Sequence, residues 1–220
     1  MSITQNILHL KNSIPPSVTL IAVSKTKPNA FILEAYETGH RHFGENYVQE
    51  LVDKYQQLPK DINWHFIGHL QSNKVKHIAP FVYLIHGVDS FSLLKEINKQ
   101  ALKNNRVINC LLQIYIAQEG TKFGLSFAEA ETILNSTAFK ELKNIAIKGF
   151  MAMASNTKDE EQIRKEFKLL NEFAKSFFSS HSSCSVLSIG MSADYKIAIH
   201  EGSTMIRIGS SIFGERDYSI

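Results

Sequence analysis

The sequence predicts an α/β protein in which eight parallel strands and the helices between them close into a single (β/α)8 barrel, the TIM barrel architecture, with an additional helix at the N-terminus. Strand-like and helix-like segments alternate from residue 19 onward, and eight segments have the length and composition of strands. No GxGxxG turn follows the first strand, which argues against the main alternative, an open doubly wound sheet. We therefore assign residues 1–220 to one domain.

The individual elements follow from apolar periodicity and from the Pro and Gly residues that interrupt it. Strands are predicted at 19–24, 42–44, 63–67, 83–86, 107–116, 145–150, 185–190 and 205–208. Helices are predicted at 30–39, 46–57, 73–79, 91–104, 126–136, 159–178 and 193–201. A short amphipathic helix that presents Leu8 and Leu10 precedes the first strand, and Asn29 is expected to cap the helix after it.

The composition excludes several classes of protein. The net charge of +3 is small and no basic run occurs, so nucleic-acid binding is not expected. No apolar stretch reaches membrane-spanning length and residues 1–6 lack the features of a signal peptide, so we expect a cytoplasmic protein. Cys110 and Cys184 lie far apart without a CxxC pattern and are expected to be reduced core thiols.

Lys25 is an unusual residue at the end of the apolar strand predicted at 19–24. Burial removes water from an ammonium group and lowers its pKa, which frees the amine to attack a carbonyl. A lysine of this type forms a Schiff base with pyridoxal phosphate (PLP). The alternative is a lysine whose ammonium simply reaches solvent at the strand end.

Two loops have the composition of a phosphate site. In a (β/α)8 barrel the loops after strands seven and eight often bind phosphate, and here they begin with residues 190–192 (GMS) and 209–211 (GSS). Glycine lets the backbone approach a ligand, and serine hydroxyls and helix N-terminal amides donate hydrogen bonds. Each motif alone is weak, because Gly-Ser pairs end many elements. Their occurrence in both expected loops makes the two loops together a stronger candidate for a phosphate site than either motif alone.

Arg207 interrupts the otherwise apolar strand predicted at 205–208, where a permanently charged guanidinium needs an acceptor. One alternative is a core carboxylate, for which Glu45 is the candidate. The other places Arg207 against a ring nitrogen of the ligand. An arginine there disfavours protonation of a pyridine ring, so the ring becomes a poorer electron sink.

Three further candidates are weaker. Asn46 follows the second strand and either caps the next helix or contacts the ligand, and capping is favoured on residue type. His65 and His69 straddle a strand and a loop without a third ligand, so no metal site is predicted. Lys122 competes with Lys25 for the aldehyde, but its Gly-bounded loop is expected to keep the amine hydrated and protonated.

Seven blocks of the sequence resemble one family, the pyridoxal phosphate homeostasis proteins, also called proline synthetase co-transcribed homologues. The blocks are 22–28 (AVSKTKP), 43–50 (FGENYVQE), 64–74 (WHFIGHLQSNK), 122–125 (KFGL), 149–151 (GFM), 187–192 (LSIGMS) and 207–214 (RIGSSIFG). They follow one another in order along nearly the whole chain, so the resemblance is specific. It implies a barrel similar to the N-terminal domain of alanine racemase, with PLP bound covalently to a lysine.

The resemblance also assigns roles to residues of this chain. The lysine that carries PLP falls on Lys25, and the ring-facing arginine falls on Arg207. The asparagine beside the cofactor falls on Asn46. The phosphate-binding serine falls on Ser192, and the remaining positions of the phosphate cradle fall on Gly209 and Ser210. Relatives often have threonine in place of the last serine, and both residue types offer a hydroxyl.

The resemblance implies a carrier. Racemization of the alanine racemase type needs two bases, a lysine and a tyrosine that comes from an additional C-terminal domain of a partner subunit. The chain ends shortly after its last predicted strand, and nothing places Tyr47, Tyr115, Tyr195 or Tyr218 as the second base. Losing general-acid or general-base assistance typically costs roughly 10²–10⁴-fold in rate. We therefore expect a non-catalytic protein that holds PLP, takes part in PLP (vitamin B6) homeostasis and delivers the cofactor to dependent enzymes.

Two alternatives stay open at this point. One is a PLP-dependent amino-acid racemase or lyase that uses the same site. The other is a barrel that binds a different phosphorylated metabolite without a covalent bond. The expected partners are PLP and, transiently, PLP-dependent enzymes, with no nucleic acid and no membrane. The expected oligomeric state is a monomer.

Overall fold

The structure, a computed structural model, describes residues 2–119, 123–181 and 183–215. Eight parallel strands pair in sequence order, and β1 pairs with β8 to close the barrel, so the predicted closed eight-stranded architecture is confirmed. The strands are β1 (Thr19–Val23), β2 (His42–Glu45), β3 (Asn63–Phe66), β4 (Leu84–Val88), β5 (Ile108–Gln113), β6 (Ile145–Met151), β7 (Val186–Ser188) and β8 (Met205–Ile208).

Helices separate every pair of consecutive strands, and two further helices lie before β1 and after β8. The helices are α1 (Ile3–Ser13), α2 (Asn29–Glu37), α3 (Val48–Gln57), α4 (Val75–Ile78), α5 (Phe91–Lys103), α6 (Phe127–Asn135), α7 (Thr137–Lys140), α8 (Glu160–Ser180), α9 (Tyr195–His200) and α10 (Ser210–Phe213). A 3₁₀ turn at Ser72–Lys74 precedes α4. Among the described residues, no helix combines the length and the apolar character that crossing a membrane requires.

The N-terminal helix forms as predicted, but it buries a different face. Ser2 and Gln5 make a capping box, in which each side chain accepts a hydrogen bond from the main-chain N–H of the other residue. Ile3, Ile7 and Leu10 are buried on one face, whereas Leu8 is 46% exposed. Residues 3, 7 and 10 follow the helical period, and Leu8 lies outside that stripe.

The helix predicted at 126–136 forms as α6, and a second short helix, α7, follows it. Ser136 ends α6 and also starts α7, because its hydroxyl accepts a hydrogen bond from the main-chain N–H of Phe139. The cap expected at Asn29 is wrong. The helix α2 begins at Asn29 itself, and the Asn29 side-chain amide instead donates to Gln57 Oε1 at 2.8 Å. The four-residue helix α10 was not predicted.

The predicted fifth strand, 107–116, is longer than the observed β5. After Gln113 the chain turns to pair with a different partner, the residue Leu125. The Leu125 N–H donates to the Gln113 carbonyl at 2.8 Å, and the Tyr115 N–H donates to the Leu125 carbonyl at 2.8 Å. The segment after β5 therefore leaves the barrel wall and lies over its rim.

Apolar side chains form two clusters, one on each face of the barrel wall, because successive strand residues point to opposite faces. The larger cluster packs the strands against the helices, with Phe43, Trp64, Phe150 and Phe167 among its largest members. The smaller cluster fills part of the barrel interior and consists of Ile21, Leu84, Leu111, Met151 and Met205. Met151, the last residue of β6, therefore belongs to the interior.

Candidate functional site

A cavity of about 350 Å³ lies at the carboxyl ends of the strands. Its volume is in the range of small-molecule sites. It is lined by Val23, Lys25, Lys27, Asn46, Ile67, Met153, Met191, Ser192, Ala193, Arg207, Gly209, Ser210 and Gly214. All six residues that the sequence singled out for binding are on this wall, although they are separated by up to 185 positions in the chain. Parallel strands place their carboxyl ends at one edge, so the fold brings these residues together.

Lys25 lies in a tight turn directly after β1. Thr26 has a φ of 63°, a left-handed conformation that non-glycine residues seldom adopt. Two hydrogen bonds support it: the Lys27 N–H donates to the Ser24 carbonyl at 3.1 Å, and the Thr26 N–H donates to Glu50 Oε1 at 2.5 Å. The turn therefore holds the backbone on either side of the half-buried Lys25.

A buried ammonium on α3 connects the groups that hold this turn. Lys54 Nζ donates to the Ser24 carbonyl at 2.7 Å, to Glu45 Oε1 at 2.8 Å and to Glu50 Oε1 at 2.7 Å. The Ser24 hydroxyl donates to the same Glu45 oxygen at 2.6 Å. The Lys54 side chain is 6% exposed, so its charge depends on these carboxylates for compensation. The cluster of Ser24, Glu45, Glu50 and Lys54, which we call the Lys54 cluster, was not foreseen from the sequence.

Glu45 is committed to the Lys54 cluster. Burial raises the pKa of the Glu45 carboxyl to about 7, although the Lys54 ammonium opposes this shift. Within the described part of the chain, Glu45 Oε2 has no hydrogen-bond partner and is buried. The sequence-based alternative in which Glu45 compensates Arg207 is therefore wrong, because the carboxylate contacts a different cation.

Arg207 is held by main-chain carbonyls of the neighbouring strand ends. Its Nη1 donates to the carbonyl and to the hydroxyl of Ser188, both at 2.7 Å, and its Nη2 donates to the Ala152 carbonyl at 3.0 Å. Arg207 is 4% exposed, and burial lowers the pKa of its guanidinium to about 10, which still leaves it charged at neutral pH. A fixed cation thus lies at the inner wall of the cavity.

Asn46 caps no helix. The helix α3 has Tyr47 at its N-cap position with no side-chain cap, so the capping role that we favoured on residue type is wrong. Asn46 Oδ1 is buried and, over the described residues, has no hydrogen-bond partner. Gly68 packs directly against the Asn46 backbone, where a Cβ would lie only 2.9 Å from Asn46 Cα. Asn46 also lines the cavity, so its side-chain amide is a candidate contact for a bound ligand.

The two serine loops follow the neighbouring strands β7 and β8, and both contribute to the cavity wall. Ser192 lies in a turn closed by Asp194, whose Oδ1 accepts from the Met191 N–H at 2.5 Å. Gly190 enters this turn with a φ of 95°, and a Cβ there would lie 2.6 Å from Ala198 Cβ. Only glycine fits both conditions, so Gly190 allows α9 to pack close behind the turn. Ser210, at the start of α10, supplies the second serine of the cavity wall.

His65 and His69 are not among the residues that line this cavity. His69 is satisfied elsewhere, since its Nδ1 contacts Asp89 Oδ2 at 3.0 Å and its ring stacks on Phe123 at 4.2 Å. Lys122 lies outside the described residues. Over the ranges that the structure describes, no three His, Cys, Asp or Glu side chains are arranged to hold a metal ion.

Sequence reasoning assigned no ligand role to three further wall residues. Lys27 lines the cavity, and its Nζ donates to the Glu215 carbonyl at 2.7 Å. Met153 and Met191 supply apolar wall beside the serine loops. The only available signal was their position one to three residues from a predicted strand end or glycine loop, which many unrelated surface residues share.

Comparison with known proteins identifies the family. The family described as "Alanine racemase, N-terminal domain" matches residues 1–217. The pyridoxal phosphate homeostasis protein of Vibrio alginolyticus is 39% identical over 99% of this chain and 99% of its own length. PipY of Synechococcus elongatus PCC7942, solved with PLP bound, is 34% identical, with a TM-score of 0.87 over 97% of this chain and 100% of that chain. Its structure without PLP gives a TM-score of 0.90. The resemblance noted in the sequence is thereby confirmed, and the chain belongs to the family of pyridoxal phosphate homeostasis proteins.

Proposed function

We propose that this protein binds PLP in the cavity at the barrel mouth, holds it covalently through Lys25 and acts as a PLP carrier without efficient catalysis of its own. The observation that carries the proposal is the convergence of Lys25, Arg207, Asn46 and the two serine loops on one cavity. PipY, which was solved with PLP bound, supports the choice of cofactor. The name of the curated relatives supports a role in PLP homeostasis, and delivery to PLP-dependent enzymes is part of the proposal.

The donor set of the cavity fits PLP. When bound, PLP supplies an aldehyde that condenses with an amine, a phosphate group and a pyridine ring that withdraws electrons. Lys25 offers an amine, and Ser192 and Ser210 offer hydroxyls on two loops that face one cavity. The buried and unsatisfied Asn46 Oδ1 offers an acceptor for a ligand donor. The site therefore presents a suitable group for each polar part of the cofactor.

We assign the roles as follows. Lys25 provides the covalent attachment, and the Lys54 cluster keeps the backbone on either side of it in place. Ser192, Gly209 and Ser210 bind the phosphate, with Gly209 letting the backbone come close to it. Arg207 faces the ring nitrogen and, because it remains charged, does not give up a proton to the ring.

The same geometry favours a carrier over a racemase. Turnover of the racemase type needs a second base on the opposite face of the substrate, and no tyrosine of the described chain is among the residues that line the cavity. Tyr115 donates its hydroxyl to the Glu119 carbonyl at 2.7 Å, and Tyr47 lines a neighbouring groove. An arginine at the ring nitrogen further limits the ring as an electron sink. Monomeric state and cytoplasmic location remain predictions.

The decisive experiment compares two lysines of one cavity. Purified wild-type protein incubated with PLP should show the long-wavelength absorbance of a lysine-linked aldehyde, and borohydride should convert the complex to a stable adduct visible by intact mass. Lys25→Ala should lose both signals. Lys27→Ala, which alters a cavity lysine two residues away, should keep them. A reducible adduct that persists in Lys25→Ala would refute the assignment of Lys25.

The two alternatives are separated by further measurements. Incubation of the PLP-loaded protein with enantiopure amino acids, followed by chiral analysis, should show no robust turnover. Turnover that disappears in Lys25→Ala would establish the racemase or lyase instead. A protein that binds phosphorylated compounds but gives no borohydride-stable adduct with PLP would be a non-covalent metabolite binder.

A further inference from the structure

The barrel interior contains a continuous line of polar groups, of which the proposed function uses only Arg207. His42 on β2, His65 on β3, His86 on β4, Ser188 on β7 and Arg207 on β8 form this line, which we call the polar row. His65, His86 and Ser188 have no exposed surface, and Arg207 is 4% exposed. The apolar cluster of Ile21, Leu84, Leu111, Met151 and Met205 lies in the same interior. Five polar residues in such an interior need an explanation, because buried polar groups destabilise a fold unless they are hydrogen-bonded.

Hydrogen bonds connect the row without a gap. His42 Nδ1 lies 3.0 Å from His65 Nε2, and His65 Nδ1 lies 2.9 Å from His86 Nε2. His86 Nδ1 lies 3.0 Å from the Ser188 hydroxyl, which accepts from Arg207 Nη1 at 2.7 Å. The row thus runs from the start of β2, at the floor of the barrel, to the cavity at its mouth.

Proton counting allows only two arrangements of this row. A neutral imidazole has one N–H donor and one acceptor nitrogen, and each contact between two rings needs one proton. The rings are neutral, because burial lowers the pKa values of His65 and His86 well below their usual range and lowers that of His42. Either every ring carries its proton on Nε2 or every ring carries it on Nδ1.

Arg207 decides between the two arrangements. Its guanidinium can only donate, so it occupies an acceptor position of the Ser188 hydroxyl. If His86 also donated from Nδ1, the hydroxyl proton of Ser188 would need an acceptor other than His86. Among the described residues, that hydroxyl has no other acceptor within hydrogen-bond distance. A hydroxyl that accepts from a cation is also a stronger donor, which favours donation from Ser188 to His86 Nδ1.

We propose that Ser188 and His86 are positioning residues for Arg207, and that the polar row carries its protons on Nε2 of all three imidazoles. Through Ser188, the row fixes the orientation of the Nη1 group. It also provides aligned dipoles around a buried charge, which the Asp194 carboxylate further stabilises through its electrostatic attraction. The consequence for the cofactor ring rests on the proposed function, whereas the proton order and the immobilised guanidinium do not.

Ser188→Ala is the main test, and Ser203→Ala is its matched control. Ser203 is also buried, and its hydroxyl lies within hydrogen-bonding distance of the carbonyls of Leu187, Ile189 and Met205, but it is outside the polar row. The readout is nitrogen NMR of the histidine rings and of the arginine side chains in protein without added PLP. The wild type should show protonated Nε2 and unprotonated Nδ1 for His42, His65 and His86. It should also show separate, slowly rotating Nη resonances for Arg207.

Ser188→Ala should lower the Nε2-to-Nδ1 tautomer ratio of His86 roughly fivefold, as expected for the loss of one hydrogen bond. It should also broaden or merge the Arg207 Nη resonances. Ser188→Thr, which keeps the hydroxyl, should restore both signals, and Ser203→Ala should match the wild type. A wild-type His86 protonated on Nδ1 would overturn the proposal. Unchanged Arg207 resonances in a folded Ser188→Ala would do the same.

A second variant keeps the proposal testable if Ser188→Ala does not fold. His86→Asn places an amide oxygen where Nδ1 of the ring lies but removes the contact with His65. It should preserve the Arg207 resonances and mix the tautomers of His65. If His65 kept a single tautomer in this variant, the row would not transmit proton order.

Loading with PLP adds a readout that depends on the proposed function. The absorption maximum of the bound cofactor should shift in Ser188→Ala and stay in place in Ser203→Ala. If the wild type binds PLP and both variants show the same absorption spectrum as the wild type, Ser188 is not a positioning residue for the cofactor site. If the wild type binds no PLP, the proposed function fails, and NMR of the unloaded protein still decides the proton order.

Discussion

Lys54 Nζ donates a hydrogen bond to the main-chain carbonyl of Ser24 at 2.7 Å, so a buried charge on α3 fixes the residue that immediately precedes Lys25. The same ammonium contacts Glu50, whose carboxylate accepts the N–H of Thr26, the residue that follows Lys25. The lysine proposed to carry PLP is therefore flanked on both sides by groups that depend on one buried cation. Testable consequences follow for stability and for the site.

Lys54→Met should be strongly destabilising. The substitution keeps the length of the side chain but leaves Glu45 and Glu50 without their cation. Breaking a buried ion pair from one side costs roughly 3–5 kcal/mol. The loss should be smaller at pH 6 than at pH 8, because Glu45, with a pKa of about 7, takes up a proton at the lower pH. Chemical denaturation at both pH values measures it.

Lys99→Met provides the comparison for Lys54→Met. Lys99 is 62% exposed and lies 3.6 Å from Glu96 on the surface of α5. A surface pair of this kind contributes about 0–1 kcal/mol, and its removal should have the same small effect at both pH values. Equal losses in the two variants would show that the Lys54 cluster is not a stabilising centre.

Glu45→Gln should flatten the pH dependence of stability. Because burial raises the folded-state pKa of Glu45 from 4.5 to about 7, the protonated form is favoured in the folded state. Its contribution to stability is fully present below about pH 4.5 and is lost as the pH rises through about 7. For one group the total is on the order of 3 kcal/mol. The difference in unfolding free energy between wild type and variant, measured from pH 5 to 8, should change across this window.

The control for Glu45→Gln is Glu129→Gln, which alters an exposed carboxylate whose pKa is shifted in the opposite direction. Hydrogen bonds from Ser126 lower the pKa of Glu129, so its contribution is present above its ordinary pKa and is lost only in acid. Glu129→Gln should therefore leave the slope between pH 5 and 8 unchanged. A wild-type slope that survives in Glu45→Gln would assign the pH dependence to other groups.

Gly68→Ala should weaken PLP binding. The added methyl group would overlap the main chain of Asn46 and displace that residue from the cavity wall. We expect at least a tenfold loss of affinity in a fluorescence titration with PLP, which corresponds to about 1.4 kcal/mol. Gly39→Ala supplies a variant of comparable destabilisation, since its φ of 77° disfavours alanine while nothing lies near the new Cβ. Equal affinities in the two variants would contradict the role of Gly68.

Arg207→Lys should not behave as a conservative substitution. An ammonium group cannot reproduce the planar arrangement in which Nη1 bonds to Ser188 and Nη2 bonds to Ala152. Leaving buried acceptors unsatisfied costs roughly 1–3 kcal/mol. We expect a loss of this size in denaturation experiments and an altered absorbance of bound PLP. A variant as stable as the wild type, with the same spectrum, would show that the guanidinium geometry is unimportant.

Much of the barrel is predictable from local patterns. Alternating strand and helix periodicities predicted the eight strands, although β5 ends earlier than expected. Lys25 and Arg207 could be identified as site candidates because a cation at the end of, or inside, an apolar strand is costly and therefore informative. Ser192 and Ser210 followed from the known tendency of the last two loops to bind phosphate. In each case the signal lies within a few residues.

The partners of those residues were not predictable. The sequence suggested Glu45 as the counterion of Arg207. In the structure Glu45 instead pairs with Lys54. Arg207 donates to the carbonyls of Ser188, on β7, and of Ala152, directly after β6. Asparagine often caps helices, yet α3 begins after Asn46 and has Tyr47 at its N-cap position. Asn46 instead lines the cavity, and its side-chain oxygen is buried. Main-chain acceptors carry no residue-specific signal, and which of them a side chain reaches depends on strand register.

The sequence by itself determined the order of strands and helices, the two charged residues placed at strand ends and the two serine loops. Each of these depends on the chemistry of neighbouring residues, which the chain order contains. Only the tertiary structure decided which groups meet, as in the Lys54 cluster and the polar row. Closing β1 onto β8 brings together residues from strands that lie far apart in sequence, and the resulting distances depend on the packing of the whole barrel.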